Sequence, residues 1–453
     1  MSDTTSLLDA ETFDESAAHG GLPTDLDARL PTLQTAVMDH ARQRGVSFAG
    51  TGPDSRFVID PYPRVIDAAT WADVERGLKQ RALALDAFVR DVHGTRSAVA
   101  DGVIPARVIE SCANLDPGAA ALGPRGSGQN WIGIAGLDLI RDASGRFLVL
   151  EDNCRTPSGL AYALAAREAL QHALEPEELD HVRTLGDVPG MLRATLDAAR
   201  PDPARPTEAV VLTDGPRNSA YYEHRRLAVA LGVPLVTPNE LQIRADQLWT
   251  IGGEHPVNVV YRRTDEDLST TSVGRFLSPA LQAGTLGLVN AFGTGVADDK
   301  LTHVYVERLV RYYLGEEPLL PSVRGLDLGT DAGLAEADDR LAELVVKPRG
   351  GFGGIGVTIC AALDRAGLDA VREQLHAAPD AFVAQELVPL STHPTVIDGV
   401  AQPRHVDLRP FVMLAGESAR VVAGGLTRVA LREGSMIVNS SQEGGAKDTW
   451  ILR

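Results

Sequence analysis

Residues 136–159 read GLDLIRDASGRFLVLEDNCRTPSG. Two β-rich runs flank DASGR, and the glycine there marks a hairpin turn. With the turn centred on Ser144 and Gly145, Asp138 falls directly opposite Glu151, and a two-residue or a four-residue loop gives the same register. Asn153 lies two residues beyond Glu151, on the same face of its strand. Two carboxylates and an amide oxygen therefore converge. Like charges opposed on a sheet are destabilising, so a divalent cation is a natural explanation. Hard oxygen ligands and a site left open for phosphate suit Mg²⁺. A solvated polar hairpin face would show the same residues.

Further along, residues 344–357 read LVVKPRGGFGGIGV. Lys347 ends a strand, and Gly350, Gly351, Gly353, Gly354 and Gly356 follow. Such a loop lets backbone N–H groups wrap a phosphate without Cβ clashes. It lacks the Lys-Ser/Thr of a Walker A loop and does not open a helix as a Rossmann fingerprint does, and a plain glycine-rich hairpin fits it too. In GVADDKLTHVYVERLV, Lys300 begins an amphipathic helix, where a lysine is usually solvated. HVDLRPFV sets Asp407 and Arg409 on one strand face. GGLTRVAL places Arg428 in an apolar strand, where it needs an anionic partner, a ligand or a structural carboxylate. IVNSSQEGGAKDTW offers Asn439 and neighbouring polar groups.

The wider chain has 453 residues, enough for two or three packed subdomains, with 44% hydrophobic and 23% charged residues. A net charge of −18 argues against a duplex nucleic-acid binder. Three scattered cysteines, Cys112, Cys154 and Cys360, fit a reducing compartment without disulfides or a zinc cluster. The acidic N-terminus has no basic start and apolar core, and no apolar run approaches the ~20 residues of a membrane helix. A cytoplasmic protein, free of membrane, is expected. Residues 67–100 read as a helix capped near Asp67 and Thr70, with an apolar stripe through Trp71, Val74, Leu78, Leu85, Phe88 and Val92. After the Pro-rich stretch ARPDPARPTEA, strands alternate with helices over about 206–295, an open α/β pattern.

Together these segments resemble the ATP-grasp superfamily. The usual order there is a first Lys, a second Lys with a glycine loop, an adenine hinge, a phosphate Arg, then Asp and Glu-x-Asn metal ligands. Here the Asp and Glu-x-Asn precede both lysines. That order resembles the circularly permuted ATP-grasp family, whose members are similar to glutathionylspermidine synthetase. The resemblance runs from about Pro63 to the C-terminus, through LVLEDNCRTPSG, GPRNSAYYEH, VVYRRTDED, GTGVADDK, STHPT, RHVDLRPFV and GGLTRVALREGSMIVNSS. It implies an α/β (α+β) permuted ATP-grasp fold with an open α/β pre-ATP-grasp domain. The chain then divides into an N-terminal helical region (1–110), the permuted metal-binding part (111–205), the pre-ATP-grasp domain (206–295) and the nucleotide-binding subdomains (296–453).

By the same resemblance, Lys300 and Lys347 contact ATP phosphates under the glycine loop, with Asn439 in the nucleotide site. Gln385, Glu386 and Leu387 form the adenine hinge, mostly through backbone groups. Arg409, Arg428 and Lys347 serve γ-phosphoryl transfer, and Asp138, Glu151 and Asn153 bind Mg²⁺. The implied activity is an ATP-dependent carboxylate–amine ligase that forms an acyl phosphate and releases ADP. Its partners are a small-molecule or peptide acid and an amine. Phe352 and Glu386 depart from the family's usual loop and hinge residues. Arg262 or Arg263 could pair with a substrate carboxylate or form a surface salt bridge; His224 could be a base or a satisfied helix histidine; Cys154 is a weak nucleophile candidate with no nearby His. Two other classes stay open: a non-catalytic ATP-binding sensor or scaffold, and an ATP-grasp phosphotransferase.

Overall fold

The computed structural model describes residues 12–18, 22–48, 57–124, 129–264, 271–351, 355–436, 438 and 444–453. Nine strands among them form a large sheet. Its main path runs Ile59–Ile66, Gly445–Ile451, Leu426–Val429, Val400–Arg409, Ile134–Arg141, Phe411–Ala415 and Ser418–Val421. Thr392–Ile397 pairs with Val400–Arg409, and Phe147–Asn153 pairs with Ile134–Arg141. The sheet thus interleaves strands from the start, middle and end of the chain. The strand Ile59–Ile66, lying in a region the sequence reads as helical, pairs in parallel with the C-terminal strand.

A second sheet holds four short strands in the order Gly325–Leu326, Phe382–Glu386, Leu344–Pro348 and Thr358–Ile359. Helices Asp331–Arg340 and Arg365–Ala377 cover it, and a separate small core including Leu326, Leu344, Val346, Ala384 and Leu375 holds this lobe together. A third sheet has four parallel strands, Leu235–Val236, Ala209–Leu212, Val259–Arg262 and Gly287–Val289.

The long helix Ala68–Val92 packs beneath the large sheet. Asp67 caps it, accepting from Thr70 N–H at 2.9 Å. Its stripe of Trp71, Val74, Leu78, Leu85, Phe88 and Val92 is buried as the spacing requires. Each such side chain contributes about 1.5–3 kcal/mol relative to exposure. Gly77 sits against Leu320, whose Cβ would lie 2.5 Å from a Cβ added there, so Gly77→Ala would push the helix off its neighbour. No helix among the described residues is long and apolar enough to cross a membrane.

Candidate active site

The hairpin places Asp138 opposite Glu151 by a route that differs from the simple turn. Three residues, Ala143–Gly145, make the loop. Asp142 N–H donates to Arg146 O at 3.0 Å, and Gly145 N–H, at φ +81°, donates to Asp142 O at 2.9 Å. That odd loop sets Leu139 against Val149. A bulge at Leu150 then adds one residue to the second strand and restores Asp138 to Glu151 and Gly136 to Asn153. The bulge forms where Pro321–Val323 pairs with Val149: Val149 N–H donates to Pro321 O and Val323 N–H to Val149 O, 2.8 Å each.

Asp138 is buried, with both oxygens bonded. Arg409 donates Nε to Oδ1 at 2.5 Å and Nη2 to Oδ2 at 2.7 Å, and Arg428 donates Nη2 to Oδ2 at 2.7 Å. Arg428 also donates Nε to Oδ1 of Asp407, its cross-strand neighbour, at 2.9 Å. Burial works against the Asp138 charge, but the two guanidinium groups outweigh it and hold the carboxyl below the usual range. Burial raises Asp407 instead, since it shares Arg428 with Asp138.

Glu151 pairs with Lys300 Nζ at 2.8 Å. The same ammonium donates to Gly351 O at 2.5 Å, so Lys300 bridges the hairpin and the glycine loop. Lys347 donates to Gln385 Oε1 at 2.5 Å, and Gln385 Nε2 donates to Leu150 O at 3.2 Å. Burial pulls the Lys347 ammonium down to about 8.

These groups face one cavity of about 500 Å³. Asp138, Glu151, Asn153, Lys300, Arg409 and Arg428 line one side, with Lys347, Gly351, Gln385, Glu386 and Leu387 on the other. Val345, Val357, Ile359, Leu390 and Met436 add apolar surface to its lining. Gly350 is outside this lining; Gly353, Gly354 and Asn439 lie outside the described residues. The hinge donors are partly used: Glu386 N–H bonds Arg324 O and Leu387 N–H bonds Glu343 O. The Glu386 carboxylate pairs with Arg324 and Arg340 at 3.2 and 3.3 Å.

Among the described residues no three His, Cys, Asp or Glu side chains form a ready-made metal cluster. The hairpin oxygens still fit Mg²⁺. Glu151 is partly exposed to the cavity, and the Asn153 amide nitrogen is buried with no hydrogen-bond partner. Half a turn of that amide puts its oxygen at the same place. Asp138 fits less readily, because a cation there must displace a guanidinium.

A family model described as circularly permuted ATP-grasp type 2 matches residues 63–430. The chain belongs to that permuted ATP-grasp family. It is 41% identical over 442 residues to an uncharacterized protein of Mycobacterium tuberculosis, covering 95% of this chain and 79% of that one. A Frankia alni protein named "Putative glutamate--cysteine ligase 2-3" is 43% identical over 446 residues; the match covers 95% of this chain and 51% of the relative, about half its length. Among solved structures, a glutathione synthetase-like effector from Globodera pallida in its apo form has a TM-score of 0.58 at 12% identity. That match covers 96% of this chain and 99% of the effector, a likeness of fold.

Several residues that brace this cavity in the permuted ATP-grasp chain escape the motif reading. Asp152, between Glu151 and Asn153, is buried on the opposite face. It accepts from Arg81 Nε at 2.6 Å and Nη2 at 2.7 Å and lies 2.7 Å from His303 Nδ1. Arg81 occupies the gap between Leu78 and Leu85 in the apolar helix stripe; a charge at that gap is the signal that points to it. Arg349 forms a buried pair with Asp299, Nη2 to Oδ2 at 2.7 Å, tying the glycine loop to the turn before Lys300. Burial pushes Asp298 up to about 7; its carboxylate accepts from Cys154 N–H at 2.5 Å and Arg155 N–H at 3.3 Å.

The other candidates find structural roles. His224 is buried 2.8 Å from Thr213 Oγ1, and burial lowers it to about 2. Arg262 and Arg263 are buried, so neither forms a surface salt bridge. Arg263 Nη2 meets Glu223 Oε1 at 2.8 Å, and Arg262 donates to the carbonyl of Thr264 at 2.9 Å. Cys154 is buried, and burial drives its thiol well above the ordinary value, which suits packing rather than nucleophilic attack.

Proposed function

We propose that this chain is an ATP-dependent carboxylate–amine ligase that works through an acyl phosphate. One observation carries the reading: four cationic side chains from distant segments, Lys300, Lys347, Arg409 and Arg428, line one cavity with the hairpin's Asp138, Glu151 and Asn153. A concentration of positive charge beside oxygen ligands suits a triphosphate held against an acidic background of net charge −18.

In this reading the apolar lining residues take the adenine, and Lys300 and Lys347 hold phosphate oxygens. Arg409 and Arg428 hold the γ-phosphate and the acyl phosphate made from it. Their pairs with Asp138 and Asp407 keep both guanidinium groups oriented before substrate arrives. Glu151 and Asn153, with Asp138, would hold Mg²⁺, which would supply charge neutralisation for the transferring phosphoryl group. The acid's carboxylate oxygen bonds to the γ-phosphorus as the bond to the bridging oxygen breaks, and ADP leaves. The amine nitrogen then bonds to the acyl carbon, the C–O bond to phosphate breaks, and the amine gives up a proton. The Frankia relative's name makes glutamate and cysteine the first acid and amine to try.

The test is product analysis with candidate acids and amines, glutamate and cysteine first. ADP and phosphate should form only when acid is present, and hydroxylamine should trap the activated acid as a hydroxamate. AMP as product, or phosphate release that no acid or amine accelerates, overturns the ligase reading. It would turn attention to a sensor or a phosphotransferase.

A further inference from the structure

The geometry points to Asn290 as a positioning residue that holds the open end of the hairpin in place from outside the cavity. The inference rests on the Mg²⁺–nucleotide reading above and adds to it a residue that touches neither ion nor nucleotide. Asn290 follows the strand Gly287–Val289 of the third sheet, is buried, and is absent from the cavity lining. Its amide oxygen accepts from Gly133 N–H at 2.7 Å and Ile134 N–H at 2.8 Å. Its amide nitrogen donates to Ile134 O and Cys154 O, 2.7 Å each. One carboxamide thus uses both acceptor sites and both donors. Those bonds join the entry of the first hairpin strand to the exit of the second.

The ladder between those strands stops at Gly136 and Asn153. Its register would next bring Ile134 opposite Arg155, but Ile134 turns its N–H and its carbonyl to Asn290. The carboxamide stands where the second strand would continue, and the chain turns away after Asn153. Asp298 grips the same turn through its amides, accepting from Cys154 N–H at 2.5 Å and Arg155 N–H at 3.3 Å. Asn290 and Asp298 belong to one short segment, which runs on to Lys300, 2.8 Å from Glu151. Asn153 needs this support. Its side-chain nitrogen is buried with no hydrogen-bond partner, so its backbone must fix where the amide sits. On one side of it Asp152 is pinned by Arg81 at 2.6 and 2.7 Å, and on the other Cys154 is pinned by Asn290. Mg²⁺ demands near-ideal octahedral geometry, so a small shift at Cys154 that carries the Asn153 oxygen with it weakens the ion's hold. The contacts of Lys347 across the cavity do not pass through this turn.

The experiment is calorimetric titration of the full chain with ATP, once in Mg²⁺ and once in EDTA, for the parent, Asn290→Ser and Asn290→Asp. The serine is too short to span the two strands. The aspartate keeps an acceptor for Gly133 and Ile134, and its carboxylate has no hydrogen to donate to Cys154. Both variants should bind ATP in EDTA much as the parent does. The gain in affinity that Mg²⁺ brings should shrink by about tenfold, the lower end of what an outer-shell partner of a metal ligand contributes. A residue that only stabilised the fold would lower the melting temperature and leave that gain intact. An unchanged gain in both variants overturns this inference alone. So does binding that weakens equally in EDTA and in Mg²⁺, or a chain that folds with neither substitution, since Asn290 then serves the fold at large. A parent protein that gains nothing from Mg²⁺ removes the metal-ligand reading, and one that binds ATP in neither condition removes the nucleotide reading, each taking this inference with it.

Discussion

On the large-sheet wall of the cavity, Asp407, Arg428, Asp138 and Arg409 form a chain of opposite charges in which each group has a charged partner. On the small-sheet wall, Lys347 has the neutral Gln385 as its hydrogen-bond partner, and burial lowers its hold on the proton. The first wall belongs to a sheet of nine strands; the second rests on a small core of its own, with Ile355 of the glycine loop 64% exposed. The difference separates two kinds of binding group. The large-sheet charges are satisfied by folding, so the fold depends on them. The small-sheet charge has, among the described residues, a neutral hydrogen-bond partner, and the nearby Glu151 charge offsets only part of its desolvation.

The sharpest way to break this contrast is to remove one charge from each wall. Arg428→Met leaves Asp407 with no guanidinium and Asp138 with one, and should lower stability by about 3–5 kcal/mol, the cost of breaking a buried pair on one side. Lys347→Met should leave the unliganded protein as stable as before or slightly more so, since desolvation of this ammonium outweighs the support it receives from Gln385 and the nearby Glu151 charge. Urea unfolding midpoints would decide it. Similar losses in both variants would mean that the two walls hold their charges alike.

The second contrast concerns turnover. Glu151→Gln keeps the side-chain shape and removes the negative charge. Activity should fall by about 10²-fold, the scale of one lost transition-state charge contact, while the unfolding midpoint stays near that of the parent. Full activity would reduce the opposed carboxylates to a polar face. Of similar free-energy scale is the thermal shift from Mg²⁺–ATP. Ligand at about 100 times its Kd adds roughly 2.7 kcal/mol, and Lys347→Met should lose most of that. An equal shift in the variant would remove Lys347 from the phosphate site.

How much of this was legible in the chain follows the same division. Local patterns could be read: the helix stripe from Trp71 to Val92, the strand around Lys347, and the Asp138–Glu151 opposition. That opposition held because a three-residue loop and a bulge at Leu150 offset one another. The bulge answers to Pro321–Val323, which no turn rule could see. Permuted motif order brought the hairpin and the lysines to one cavity on paper. The identity of their ionic partners was hidden. The sequence reads Asp138 as a metal ligand, and the structure adds two partners to it, Arg409 and Arg428. Sequence spacing reports which side chains share a strand face; it says nothing of what a strand some 270 residues away brings to them. The N-terminal strand Ile59–Ile66 was missed for a similar reason. Its IDPYPRVI carries two prolines, which speak against a strand, and its ladder partner is the last strand of the chain.

The smallest expected effect is a pH dependence that marks the small-sheet wall. Burial lowers the Lys347 ammonium from 10.5 to about 8 in the free protein. Below pH 8 the folded and unfolded chains both hold this proton, and the burial penalty is present in full. Between pH 8 and 10.5 the unfolded chain binds more protons than the folded one, so the stability contribution of this group rises with pH and the penalty fades. Nucleotide binding runs the other way. Phosphate oxygens favour the charged lysine, so above pH 8 binding must draw in a proton, and affinity falls as pH rises. The loss should be about tenfold between pH 7 and pH 9. Calorimetry in two buffers of different ionisation enthalpy would count the proton taken up at pH 9. Lys347→Arg, whose guanidinium stays charged throughout this range, should bind with no such uptake and a flatter profile. An equal fall in the arginine variant would assign the titration to a different group and leave Lys347 charged in the free site.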